Sequence, residues 1–267
     1  MNRILFEPDE IHDGVATFGG VRAAHVLNVL HGEVGQTLKT GEIGGLIGTS
    51  RIVEIVDSPD VGPRVRVACD HGQESLKPWI DLVLAPPRPR VMKRLLPQLA
   101  AMGVGQIVLV GAKKVEKDFW GATLLKEENY RPLLVDGLMQ AGTSILPTFE
   151  TRRNFRAFVR DELAARFPQS RRLVAHPEKT GDVRRPEPAS ESAADAPILL
   201  AVGPEGGWTD DEIELLEAHG FGRCSLGPRI LRTDTAVIAL LARLQGPVAV
   251  FPATARSGRG KCDIIRA

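Results

Sequence analysis

Ala201–Trp208 reads AVGPEGGW, and a little further on Ser225–Ala236 reads SLGPRILRTDTA. These two stretches decide the fold class, because each sits where an apolar strand hands over to a helix. Ile198–Val202 (ILLAV) is a short run without a polar residue, the pattern of a strand covered on both faces. It leads through Gly203, Gly206 and Gly207 into a helix signalled by Thr209 as N-cap, by Glu212 completing a capping box and by Gly220 after the last turn. The second stretch ends a strand, turns at Gly227–Pro228 and opens another apolar helix, Ala236–Leu244. Glycines allow positive φ and a close approach of the backbone to a ligand. Arg229, Arg232 and the Thr233–Asp234–Thr235 cluster at a helix N-terminus can hold an anion or a nucleobase edge. Taken singly, each stretch reads equally well as a tight turn or a capped helix with solvated arginines.

Working outward, the same alternation continues upstream. Ile80–Ala85 and Gln106–Val110 are strand candidates, with a helical segment between them that runs to Met102 and is expected to kink or divide at Pro97. Tyr130–Ala141 and Phe155–Phe167 read as helices and Arg172–Ala175 as a strand. Strands alternating with helices argue for an α/β domain with a largely parallel sheet. Residues 1–75 differ. Arg3–Phe6, Gln36–Lys39, Leu46–Val56 and Arg64–Ala68 are short strand candidates separated by glycine-rich turns, which suggests a small β-barrel. One helix, Gly20–Leu30, is expected there, with Val21, Ala24, Val26, Leu27 and Leu30 on one face. Residues 177–196 read as a loose polar loop, and the last twenty residues as a mobile tail.

Composition excludes several classes. The chain has 267 residues, 43% hydrophobic and 25% charged, which is ordinary for a globular protein and unlike a disordered, collagenous or disulfide-stapled one. No run of eighteen apolar residues suggests a membrane span, and MNRILFEPDE lacks the apolar core of a secretory signal. Cys69, Cys224 and Cys262 lie far apart, as expected of single thiols in a reducing cytoplasm. The net charge of +1 rules out a polycation, although residues 1–80 are net acidic and 81–135 net basic. There is no GxGxxG after a strand, no GxxxxGK[ST] and no HExxH, so neither a Rossmann site, a P-loop nor a zincin is supported, and no metal is expected. His12, His71 and His219 read as surface residues, His25 as possible barrel packing, and Trp79, Trp120 and Trp208 as packing residues.

VGPEGGW, a helix and SLGPRILRTDTA in that order resemble the C-terminal signature of the RsmE family, S-adenosylmethionine-dependent methyltransferases of small-subunit ribosomal RNA within the SPOUT superfamily. The resemblance implies an α/β, SPOUT-type domain with a parallel sheet and a trefoil knot over residues 76–247. A PUA-like RNA-binding β-barrel over 1–75 precedes it, and a tail over 248–267 follows. It implies that Val202, Gly203, Pro204, Glu205, Gly206, Leu226, Gly227, Ile230, Leu231, Arg232 and Thr235, with His176 and Pro177, bind S-adenosylmethionine. It also implies a homodimer with each site near the subunit interface, in the cytoplasm and with no membrane partner. The family reaction is methylation of N3 of a uridine in 16S (small-subunit) ribosomal RNA, in assembled or late-assembly subunits.

That reaction needs no metal, because a sulfonium is already a strong methyl donor. It does need the N3 proton removed or weakened and the reacting atoms held in line. Arg232 is expected to stabilise charge developing on the uracil carbonyls, and Glu205 to act as base or loop brace. RNA contacts are expected from Arg229, from Arg88, Arg90, Lys93 and Arg94, and, through the barrel, from Arg3 and His25. Where many relatives carry charged residues, this chain has Gln98, Ala101 and, after Gln140, Ala141–Gly142–Thr143; Val29–Leu30 is followed by His31 rather than onward to arginine. Two rivals are a SPOUT enzyme acting on a ribose 2′-hydroxyl and a non-catalytic RNA-binding assembly factor.

Overall fold

The structure, a computed structural model, describes residues 2–56, 62–177 and 196–245. The expected loop between Pro177 and residue 196, the expected tail and Cys262 lie outside the described residues.

Two six-stranded sheets organise the chain. The first contains β1 (Ile4–Phe6), β2 (Ile11–His12), β3 (Val15–Phe18), β4 (Thr37–Glu42), β5 (Ile47–Val56) and β6 (Arg64–Gln73), in the order β1-β4-β5-β6-β3-β2. Only β1 and β4 run parallel; the other pairs are antiparallel. β2 and β3 were not anticipated. They form a two-residue hairpin in which Asp13 and Gly14 both take positive φ, 50° and 73°. The helix α1 (Gly20–Asn28) ends earlier than expected and buries Ala23 and Val26, with Leu27 beside them. Val21 and Leu30, placed on the inner face by the sequence, are exposed: Val21 lies on the side of the helix away from the buried Ala23 and Val26, and Leu30 lies beyond its last residue.

The second sheet is entirely parallel, in the order β12-β10-β11-β7-β8-β9. Its strands are β7 (Ile80–Leu84), β8 (Val104–Val110), β9 (Thr148–Arg152), β10 (Arg171–Ala175), β11 (Ile198–Val202) and β12 (Gly222–Cys224). Helices cover both faces, which is why its central strands are nearly all apolar. One face packs on α2 (Pro89–Ala101), α3 (Glu127–Ala141) and α7 (Thr233–Leu244) through Leu82, Leu84, Ile107, Met92, Leu96, Leu138 and Leu241. The other packs on α6 (Asp210–Ala218) and a composite helix, α4 (Phe155–Ala157), a π turn (Phe158–Glu162) and α5 (Leu163–Arg166). Pro97 stays inside a continuous α2 rather than dividing it, and its carbonyl is where α3 comes closest: a Cβ on Gly137 would lie 2.0 Å from Pro97 O.

The two sheets are tied together near the start of the chain. Asn2 N and Arg3 N both donate to Met139 O at 3.0 Å, Gly44 N donates to Ser144 O at 2.7 Å, and Arg131 pairs with Glu7. No helix among the described residues is long and apolar enough to cross a membrane.

Candidate functional site

Because the second sheet is parallel, the C-terminal ends of its strands share one rim. Register places Val202 beside Leu84, Val174 beside Ala201, and Ala175 beside Cys224. The loops that leave these strands therefore meet: 85–88, 176–177, 203–208 and 225–232. The strand order reverses between β7 and β11, and in open α/β sheets ligands bind outside the carboxyl ends at such a switch. Backbone bonds lock the rim, with His176 N donating to Cys224 O at 3.0 Å and Ala85 N to Val202 O at 2.9 Å. The two signature stretches touch through Thr233, a buried residue whose hydroxyl donates to Gly203 O at 3.5 Å.

The first loop is shaped by contacts that leave little room. A Cβ on Gly203 would lie 3.1 Å from the Trp208 backbone nitrogen and from its indole. Trp208 is buried and stacked on Phe155 with ring centroids 5.2 Å apart, the packing role expected of it. Gly207 takes φ +68° and closes the turn by donating to Pro204 O at 2.8 Å. Lys114 lies against Gly206 and its Nζ donates to Gly206 O at 2.8 Å. Pro204 is buried, while Glu205 is exposed at the mouth, within electrostatic reach of Arg88. Glu212, 4% exposed, accepts from Thr209 N at 2.8 Å and from Lys113 N at 2.7 Å, so one carboxylate fixes both the start of α6 and the loop after β8.

The second loop is open. Ser225 Oγ accepts from Gly227 N at 3.0 Å, and Gly227 takes φ +102°. Leu226, Ile230 and Leu231 are 40%, 88% and 37% exposed. Among the described residues their backbone N–H groups have no hydrogen-bond partner. Arg229 and Arg232 are exposed and form no ion pair with a described residue. Thr235 is exposed in the first turn of α7, and its N–H is taken by Asp234 Oδ1 at 2.9 Å. Burial pushes the thiol of Cys224, just before this loop, up to about 11, which favours its protonated form.

The remaining candidates divide. α2 buries Met92, Leu95, Leu96, Leu99 and Ala100, and so turns Arg90, Lys93 and Arg94 outward. Arg94 meets Asp234 at 3.6 Å, and Arg88 donates to Glu116 at 3.0 Å, which raises the arginine's pKa. Gln98 is exposed on α2, Ala101 half-buried at its end, and Thr143 N donates to Leu138 O at 3.2 Å. Arg3 is not displayed to a ligand. Its guanidinium donates to the carbonyls of Thr40, Gly48 and Gly142, so the RNA contact expected of it gives way to a structural tie. His25 also turns inward, its Nε2 buried. His71 is not a surface residue either: Nε2 lies 2.8 Å from Thr40 Oγ1, the ring stacks on Phe6, and burial lowers its pKa. Sequence reasoning missed Lys113, Lys114 and the second bond of Glu212. The signal was present, since Gly111–Ala112–Lys113–Lys114 follows an apolar strand just as the signature loops do.

A family model described as an RNA methyltransferase domain matches residues 74–245. The chain is 30% identical over 245 residues to a ribosomal RNA small subunit methyltransferase E of Treponema pallidum, covering 91% of this chain and 90% of that one. A structure described as a methyltransferase of Legionella pneumophila in complex with the bound cofactor SAM superposes with a TM-score of 0.69 at 26% identity, covering 91% of this chain and 96% of the other. A ribosomal RNA small subunit methyltransferase E of Neisseria gonorrhoeae bound to S-adenosyl methionine shares the fold, with a TM-score of 0.65 at 22% identity over 92% and 97% of the two chains. An α/β fold with a parallel sheet, two signature loops on one rim and similarity along nine-tenths of the chain agree: this chain belongs to the ribosomal RNA small subunit methyltransferase E family of RNA methyltransferases.

Proposed function

We propose that the chain methylates N3 of a uridine in small-subunit ribosomal RNA, using S-adenosylmethionine held by the loops 203–206 and 225–232. The observation that carries this reading is the second loop, where Leu226, Ile230 and Leu231 expose apolar side chains beside backbone N–H groups that no described residue takes up. An adenosyl group asks for that combination, an apolar face for the ring and free backbone groups for its edge. In this reading Val202, Gly203, Pro204 and Gly206 line the other wall, with His176, Pro177, Gly227 and Thr235 at the edges. The Legionella relative, above a quarter identical, was solved with that cofactor bound.

When bound, S-adenosylmethionine supplies an electrophilic methyl group on a sulfonium that leaves as a neutral thioether. The chain's own residues do the rest. Glu205, the exposed carboxylate of the mouth, takes the N3 proton. Arg232, free of ion pairs among the described residues, donates to a uracil carbonyl as negative charge builds there. Arg229, Arg90 and Lys93 meet phosphates. Residues 1–75 serve as the PUA-like RNA-binding domain, a reading supported by their separate six-stranded sheet. Residues 76–247 carry the SPOUT-type knot, a reading supported by α7 packing on α2 behind the rim. Ile230, at 88% exposure on the active-site loop, supports a homodimer whose interface lies beside the site. A substrate in small ribosomal subunits supports the reading of a cytoplasmic enzyme.

Two measurements test this. N3-methyluridine in small-subunit RNA should disappear from cells that lack the gene; an unchanged modification map overturns the assignment. Arg232→Ala should slow methyl transfer by roughly 10²–10³-fold, the cost of removing one donor to a developing oxyanion. A near-normal rate in the folded variant removes Arg232 from the chemistry.

A further inference from the structure

Beyond the cofactor loops the same rim holds a second concavity. It is a cavity of about 550 Å³ at the C-terminal ends of β8 and β9, bounded by Gly111 after β8, by Arg153–Arg156 after β9 and by the start of α6. Its wall includes Thr209, which directly follows the first signature loop, and Gly111 and Lys113 of the loop 111–114, which reaches Gly206 through Lys114. We propose that this cavity binds backbone phosphates of the RNA that flank the target nucleotide, with Lys113, Arg153 and Arg156 as the contacts. This inference rests on the reading of the chain as an RNA methyltransferase and adds a binding site to it.

The charges support an anion there. Lys113 is exposed and its ammonium forms no ion pair with a described residue. Arg153 lies over the Trp120 ring at 5.8 Å and spends one nitrogen on Trp120 O at 3.0 Å, neither of which neutralises it. Arg156 meets Asp211 at 3.3 Å, an exposed pair of the kind that exchanges partners readily. The carboxylate on the wall, Glu212, is already taken by two backbone N–H groups and points its charge at the start of α6. Asn154 accepts from Ala157 N through Oδ1, which leaves its amide nitrogen as a further donor. Among the described residues the buried hydroxyl of Thr209, on the same wall, has no hydrogen-bond partner. Position matters as much as charge. A nucleotide presented to Glu205 and Arg232 has its neighbours along the rim, and the cavity lies along it beyond the small recess between Arg88, Lys114 and Glu205.

The test uses the full-length protein and small ribosomal subunits from a strain lacking this gene. The variant Lys113→Ala, Arg153→Ala, Arg156→Ala should bind these subunits at least tenfold more weakly at ~0.1 M salt. The slope of log affinity against log salt should fall by about two, as expected when phosphate contacts are lost. Binding of S-adenosylmethionine by calorimetry should match the wild type. The charge-keeping variant Lys113→Arg, Arg153→Lys, Arg156→Lys should restore the slope. Subunit affinity and slope within twofold of wild type in the alanine variant overturn the proposal. A wild-type protein that binds neither the subunits nor S-adenosylmethionine fails earlier, and overturns the methyltransferase reading itself.

Discussion

Replacing Glu212 by glutamine tests how the rim is held. The carboxylate is buried and accepts two backbone N–H donors, from Thr209 at 2.8 Å and from Lys113 at 2.7 Å. A glutamine keeps the shape but has one carbonyl oxygen, so its NH₂ must face one of the two donors. A hydrogen bond to a charged group contributes about 1.5–3 kcal/mol, and a buried unsatisfied donor costs on a similar scale. Loss of the negative charge at the start of α6 removes a further ~0.3–1 kcal/mol of helix-dipole stabilisation. Glu212→Gln should therefore lower stability by about 2–4 kcal/mol, read as a drop in the urea midpoint with an unchanged slope. The effect should reach the cofactor site, because Lys113 is next to Lys114, which holds Gly206. Affinity for S-adenosylmethionine should fall several-fold at temperatures where the variant is fully folded. A urea midpoint equal to wild type would show that the two bonds hold nothing, and an unaltered cofactor affinity would sever the link from Glu212 through Lys114 to the loop.

Two further outcomes follow from single contacts. Gly137→Ala, which in an open helix gains about 1 kcal/mol, should instead destabilise by ~1–3 kcal/mol, since its Cβ would sit 2.0 Å from Pro97 O; Gly121→Ala, with open space around it, is the control, and equal urea midpoints for the pair refute the close packing of α2 on α3. Acid should weaken the fold in a defined window: hydrogen bonds from Arg22 and Arg166 hold Glu10 and Glu150 below their ordinary value of 4.5. With a folded pKa below the unfolded one, this stabilisation is complete above about 4.5 and is lost as pH falls through the lower, folded value; the double variant Glu10→Gln, Glu150→Gln should flatten the loss of urea midpoint below that pH, and a profile parallel to wild type would discard the two pairs as its source.

Much of the parallel domain was legible because its signals are local. Ile198–Val202 is apolar throughout and Ile80–Leu84 apolar but for Asp81, as expected of doubly covered strands, and α6 carries Thr209, Glu212 and Gly220 at the expected offsets. The signature loops were legible as loops, but what lies against them was not. Lys114 reaches Gly206 across 92 residues and Glu212 reaches Lys113 across 99, distances no local pattern encodes. Strand β9 was missed because TFETR alternates weakly and sits at the sheet edge, and β2–β3 because Asp13–Gly14, a hairpin signal, is flanked by very short strands. Arg3 shows the limit most plainly. An arginine beside an N-terminal strand looks available for phosphate, and only the fold reveals three carbonyls converging on its guanidinium.

Those three carbonyls come from both halves of the molecule: Thr40 and Gly48 from the first sheet, Gly142 from the end of α3. With the Asn2, Gly44 and Arg131 links they act like the rivet of a pair of calipers clamped at one setting. If the first sheet binds RNA as proposed, the span from there to the proposed cofactor loops is set by these ties. On that reading, measured length along a folded RNA brings a nucleotide to the pocket, and the contacts proposed for Glu205 and Arg232 then read its base.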